Sequence, residues 1–305
     1  MNVTRLQPGP RFGPQPAPSG RKGLRKGVYV IPSLFTAMNI FAGFYSLMAT
    51  MSGFRLLGIG GAQQIIDARN RFDEAAIAIG LAFVCDTLDG RIARMTRSTT
   101  EIGIQLDSLA DIVSFGLAPA VLAYAWGYGT ALQDWMNTRQ LAWFLSFMFV
   151  ICGGFRLARF NVQAIRPRPL AEGTPKVDKK SFVGLPIPVA GCLIAAIVHF
   201  GPTPIKYGPN HPQVLAILMM VLVAFLSFLM VSTLRFTSFK SVGTGRRLSA
   251  RMAIGMIAIA ALIYLYSQWV LLLLAVAYVA HGLLSRGLTA VGRRSPDKSA
   301  ELHEN

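Results

Sequence analysis

Residues 74–94 read EAAIAIGLAFVCDTLDGRIAR, and residues 103–111 read GIQLDSLAD. Only eleven apolar or small residues separate Glu74 from Asp86. That is too few to cross a hydrocarbon core of roughly 30 Å at about 1.5 Å per residue. A helix that spans must therefore continue through Asp86 and Asp89 to about Arg94, which places both carboxylates inside the embedded length. The second segment mirrors the first. Asp107 and Asp111 are spaced by four and share one helical face, with Gly103 one turn earlier. Two such helices, antiparallel through a short connection, bring Asp86 level with Asp111 and Asp89 level with Asp107. The expected result is two carboxylate layers, roughly 12 and 6 Å below the helix ends.

The rest of the chain fits this membrane reading. Of 305 residues, 53% are hydrophobic and 14% charged, and mean hydropathy is +0.47; soluble domains average about 25% charged residues. Apolar runs predict eight spans, at about 30–51, 74–94, 103–128, 139–160, 184–200, 212–234, 249–266 and 269–287. The last two divide one long apolar stretch near Tyr266–Trp269. The fold class expected is all-α, a polytopic transmembrane helical bundle.

A net charge of +16 raises the question of nucleic acid. However, 25 of the 30 lysines and arginines fall in segments on one side of the eight spans, with Arg55, Arg69, Arg71, Arg139 and Lys206 on the other. The positive-inside rule makes the first side cytoplasmic, with both termini there, and removes the need for a nucleic-acid partner. Residues 1–27, rich in proline and basic residues, read as a disordered arm and 28–240 as the membrane domain. Residues 241–288 read as two further helices and 289–305 as a polar tail. Cys85, Cys152 and Cys192 show no metal-ligand spacing, and the four histidines are scattered.

Four carboxylates at this depth are costly, at about 2.5–3.5 kcal/mol for each charged residue near a helix centre. They would also repel one another. Two divalent cations balance four negative charges, and an all-oxygen ligand set suits Mg²⁺ or Mn²⁺ rather than zinc. Asp86, Asp89, Asp107 and Asp111 are the expected ligands. Gly90 and Gly103 clear space beside them for a phosphate, and Arg94 at the mouth can pair with it. An ion-coupled transporter also places carboxylates in its spans, so these residues alone leave that alternative open.

The pattern Asp86-Thr87-Leu88-Asp89-Gly90-Arg91-Ile92-Ala93-Arg94, then Gly103, Asp107 and Asp111, resembles the signature of the CDP-alcohol phosphotransferase family at every fixed position. The resemblance covers about residues 28–240. Residues 155–161 (FRLARFN), 182–188 (FVGLPIP) and 234–240 (LRFTSFK), with Pro32, Thr36, Asn39 and Gly43 of the first span, look like the serine-accepting bacterial and archaeal subgroup. Ser33 stands where many members of the wider family have asparagine. The resemblance implies a homodimeric membrane enzyme with a two-metal site, CDP-diacylglycerol as donor, L-serine as acceptor and CMP as leaving group. It implies Asp111 as general base, and Gly90, Arg94 and Gly103 as contacts for nucleotide and phosphates. A serine carboxylate needs a cation, for which Arg156, Arg159, Arg235 and Lys240 are candidates, the motifs favouring Arg159 and Lys240. A different acceptor, glycerol 3-phosphate or an inositol phosphate, would demand an additional anion pocket.

Overall fold

The computed structural model describes residues 22–96, 101–132, 138–165, 181–208, 211–232, 235–237 and 266–292. Helix α1 spans Lys22–Ile59 and α2 Ala62–Thr96. They form a long hairpin closed by Gly60 and Gly61, whose φ angles of 76° and 103° are open to glycine without the Cβ penalty. The sequence reading placed an outer loop between residues 51 and 74. Both helices instead run on through it, and the polar surface of α2 there supports itself locally. Gln63 donates to Asp67 at 3.1 Å, and Arg71 pairs with Glu74 at 2.8 Å.

The third segment opens with α3 (Glu101–Asp111) and widens at once into a π-helical stretch, Ile112–Leu117. Ala118 N–H donates to Val113 O, five residues back. Pro119 follows, and its missing N–H leaves the tighter α pattern unfinished. Helix α4 (Ala118–Leu122), a second wide stretch at Ala123–Tyr128 and α5 (Gly129–Ala131) complete the crossing. Then come α6 (Thr138–Ile165), α7 (Ile187–Phe200), α8 (Pro212–Val231) and α9 (Ser267–Gly292). Two short strands, β1 (Ser181–Val183) and β2 (Arg235–Thr237), pair antiparallel with Phe182 opposite Phe236.

Five helical segments among the described residues are long and apolar enough to cross a membrane: Leu34–Ile59, Ile102–Ala131, Thr138–Val162, Ile187–Tyr207 and Pro212–Val231. Helix α2 packs along α1 and α7, and its acids and arginines keep it outside that apolar class. Helix α9 begins at Ser267, where the last apolar stretch divides. The expected span at 249–266 lies, apart from Tyr266, outside the described residues, as do residues 1–21 of the arm expected over 1–27 and the tail from 293. Helix α1 takes in the rest of that arm, and α9 the start of the tail expected from 289. The molecule is an integral membrane protein.

Its packing has the pattern expected in lipid. Large apolar side chains face outward, with Phe41 69% and Phe228 68% exposed, while the centre is rich in alanine: Ala68, Ala75, Ala76 and Ala82 of α2 are all buried. Small residues let backbones approach, and interhelical hydrogen bonds lock the register. Ser46 donates to Ala75 O at 2.9 Å, Ser114 to Asn39 O at 2.9 Å, and Trp126 Nε1 to Gly201 O at 3.1 Å. Gly191 of α7 is a close-approach point, since a Cβ there would lie 2.8 Å from the Phe115 carbonyl oxygen and 3.0 Å from its Cα.

Gly191→Ala must therefore push α7 away from the widened segment, at a cost of about 1–3 kcal/mol typical of overpacking. Gly80 of α2 has open space around it, so Gly80→Ala should be neutral or slightly stabilising. Thermal unfolding in detergent should show a lower Tm for the first variant only. Equal Tm values would contradict the packing described.

Candidate active site

Asp86 comes from α2, Asp107 and Asp111 from α3, and the structure brings these three together. One carboxylate oxygen from each lies within 4.8 Å of the others. The helical spacing drives this result: Asp107 and Asp111 stack on one face of α3, and α3 packs on α1, the helix that also carries α2, which brings that face within reach of Asp86. Their charges are electrostatic neighbours in the expected order, Asp111 sensing Asp86 and Asp107, and Asp107 sensing Asp89. The π-helical stretch begins at the residue after Asp111, so the helix changes its winding where the carboxylates end.

Asp89 departs from the simple two-layer picture. It is buried, with 6% exposure, and accepts a hydrogen bond from Thr36 Oγ1 of α1. Three of the four expected ligands thus form the tight group, and the fourth is tied to the neighbouring helix. Asn39 lies one turn beyond Thr36 on α1. It is buried at 1% exposure, and its amide oxygen and nitrogen make no hydrogen bond among the described residues. The interhelical contact at this position uses the Asn39 backbone carbonyl, which accepts from Ser114.

Of the basic candidates, Arg156 of α6 reaches the cluster. It is partly buried, its Nε makes no hydrogen bond among the described residues, and its charge acts on Asp111. Arg159, which the motif favoured, is exposed one turn further along α6. The difference is one of position along the helix: Gly154 packs on Ile112, with a Cβ there 3.7 Å from Ile112 Cδ1, and Arg156 stands closer along α6 to that contact than Arg159 does. Asn161 donates to Ser108 Oγ at 2.9 Å, tying α6 to α3 beside Asp107. Gly90 is partly buried on α2, and Gly103 is exposed at the start of α3. Arg94 belongs to α2, and Arg235 to β2 opposite Val183, but their side chains lie outside the described residues, as does Lys240 entirely.

Two residues near the cluster escaped assignment from the sequence. Thr36 had a motif signal but no partner. Tyr278 of α9, an electrostatic neighbour of Arg156, had no signal at all in its apolar run.

The chemistry of the donor set suits a hard divalent cation. All three groups are carboxylates, they face one another, and the buried Asp111 Oδ1 makes no hydrogen bond among the described residues. Arg156 is a single positive charge set against three negative ones. A carboxylate group left in this state costs free energy that bound cations remove.

Comparison with known proteins gives a consistent result. Residues 29–208 match the family described as CDP-alcohol phosphatidyltransferase. The chain is 33% identical over 216 residues to the CDP-diacylglycerol–serine O-phosphatidyltransferase of Helicobacter pylori, covering 70% of this chain and 75% of that one. It is 37% identical over 164 residues to the protein of the same name from Saccharomyces cerevisiae, covering 54% of this chain and 51% of the yeast protein. With the one from Methanocaldococcus jannaschii it shares 35% identity over 116 residues, 38% of this chain and 46% of that one.

Metal binding here is measurable without turnover. Saturating Mn²⁺ at about 100 times its Kd should stabilise the purified protein by about 2.7 kcal/mol, seen as a raised Tm that a chelator reverses. Asp86→Asn and Asp107→Asn should each abolish that shift, whereas an unaltered shift in both variants would show that the cation binds elsewhere.

Proposed function

The chain belongs to the CDP-alcohol phosphatidyltransferase family, and we propose that it transfers the phosphatidyl group of CDP-diacylglycerol to the hydroxyl of L-serine. The products are phosphatidylserine and CMP. The observation that carries the reading is the group of Asp86, Asp107 and Asp111 held within 4.8 Å in an apolar bundle. The names of the relatives supply donor and acceptor.

Asp86, Asp89 and Asp107, with one oxygen of Asp111, would hold two Mg²⁺ or Mn²⁺ ions. When bound, such ions neutralise charge on the diphosphate and on the departing nucleotide. The protein's own groups do the rest. Gly90 and Gly103 present no side chain, so phosphates and nucleotide can approach α2 and α3, and Arg94 pairs with a phosphate at the mouth. Arg156 receives the serine carboxylate, which orients the hydroxyl toward Asp111. Arg159 and Lys240 add positive charge around the same entrance.

Asp111 has two carboxylate oxygens, so one can join the ligand set while the other accepts a proton. It takes the proton of the serine hydroxyl as the oxygen attacks the phosphorus that bears diacylglycerol. A new O–P bond forms, the bond from that phosphorus to the CMP oxygen breaks, and CMP leaves with the electron pair. The acyl chains stay in the leaflet throughout. The enzyme sits in the cell membrane with both termini and the site on the cytoplasmic side, as the distribution of basic residues indicates. It functions as a homodimer.

Purified protein given CDP-diacylglycerol, Mn²⁺ or Mg²⁺ and one alcohol at a time should release CMP with L-serine and far less with glycerol 3-phosphate or an inositol phosphate. CMP release with a phosphorylated alcohol and none with serine would overturn the acceptor assignment. Asp111→Asn should lower turnover by about 10²–10⁴-fold, the usual contribution of a general base, while CDP-diacylglycerol binding persists.

A further inference from the structure

Helix α9 lies beyond the stretch that matches the family, which ends at residue 208. It is nevertheless fastened to the core. At its start Ser267 Oγ meets His199 Nε2 at 2.9 Å, and His199 Nδ1 meets Asp73 of α2 at 2.6 Å. Beside them Phe200 and Trp269 meet edge to face, with ring centroids 4.6 Å apart. Since His199 ends α7 and Ser267 begins α9, the packed pair runs antiparallel and its register is fixed at this end.

That register determines what lies at the other end. Tyr278 follows Ser267 by eleven residues, or about 16 Å of helix, and so sits level with the beginning of α7. There Ile187 packs on α6, its Cδ1 occupying the space where a side chain at Gly153 would go, and it also approaches Gly116. Arg156 is one turn along α6 from that contact. Tyr278 is partly buried and packs against the core, with Val279 beside it 7% exposed. Tyr278 is an electrostatic neighbour of Arg156, as is the carboxylate of Asp111.

We infer that Tyr278 is a positioning residue for the reaction: its hydroxyl oxygen accepts from the Arg156 guanidinium and holds it beside Asp111, ready for the acceptor's carboxylate. This rests on the acceptor reading given above. In this arrangement α9 closes the acceptor side of the site, and the Asp73–His199–Ser267 chain is the fastening that sets its height. An arginine with an otherwise unengaged Nε next to a carboxylate cluster would swing toward the acids; a neutral phenol gives it a second partner without adding charge.

Tyr278→Phe removes the hydroxyl and keeps the ring, so packing persists. Initial rates should show the KM for L-serine raised about tenfold, the scale of one hydrogen bond to a charged group, with the KM for CDP-diacylglycerol and the Tm unchanged. The effect should also vanish when Arg156 is already Met, since that change removes the donor of the same contact. A merely structural tyrosine would lower Tm and affect both substrates alike, and that result, or an unchanged serine KM while the wild type turns over serine, would overturn the inference alone. No serine-dependent CMP release by the wild type would overturn the acceptor reading and this inference with it.

Discussion

The fold is organised around a concentration of negative charge in a place where charge is expensive. Three carboxylates from α2 and α3 converge to within 4.8 Å, and a fourth stands one turn away, engaged by Thr36. A lipid bundle gains little from hydrophobic collapse between helices, so close packing and hydrogen bonds must hold such a cluster in place. The hairpin of α1 on α2, the glycine contact of α7 on Phe115 and the Ser114–Asn39 bond all serve that requirement. They fix the two aspartate helices in depth and rotation, while the centre of the bundle stays alanine-rich and narrow.

The widened helical stretch gives the site its asymmetry. Up to Asp111 the third segment is ordinary α-helix, and its aspartates stack. From Ile112 the winding loosens, so the residues beyond face different neighbours: Ser114 meets α1, and Phe115 and Gly116 meet α7. One crossing can then present acids at the inner end and apolar contacts above. The arginine that reaches the acids, Arg156, arrives from a third helix, and the tyrosine beside it from the last one.

Much of this was legible in the residues themselves. Two facts, the shortness of the run before Asp86 and the spacing of four between Asp107 and Asp111, suffice to place carboxylates at matching depth in adjacent helices. The placing of the last helix start near Tyr266 followed from length alone. What was not legible depends on register between distant segments. Thr36 reaches Asp89 across 53 residues, and no periodicity within either helix sets that contact. The motif favours Arg159, yet Arg156 is the arginine that acts on Asp111, because α6 meets the end of α3 at Gly154, nearer to Arg156. The continuation of α1 and α2 past the apolar limit was hidden by its polar composition, which helical pairs such as Arg71–Glu74 support once the hairpin has formed. Tyr278 sat in a run whose apolar neighbours gave it no distinction.

A cation site and a set of protonated or arginine-paired acids differ in what the three carboxylates hold between them. Crystals of the purified protein grown with Mn²⁺, measured at a wavelength where manganese scatters anomalously, test this most directly. A cation site should give strong anomalous peaks between α2 and α3, within bonding distance of Asp86, Asp107 and Asp111. An empty cluster in a preparation that is active with Mn²⁺ would contradict it.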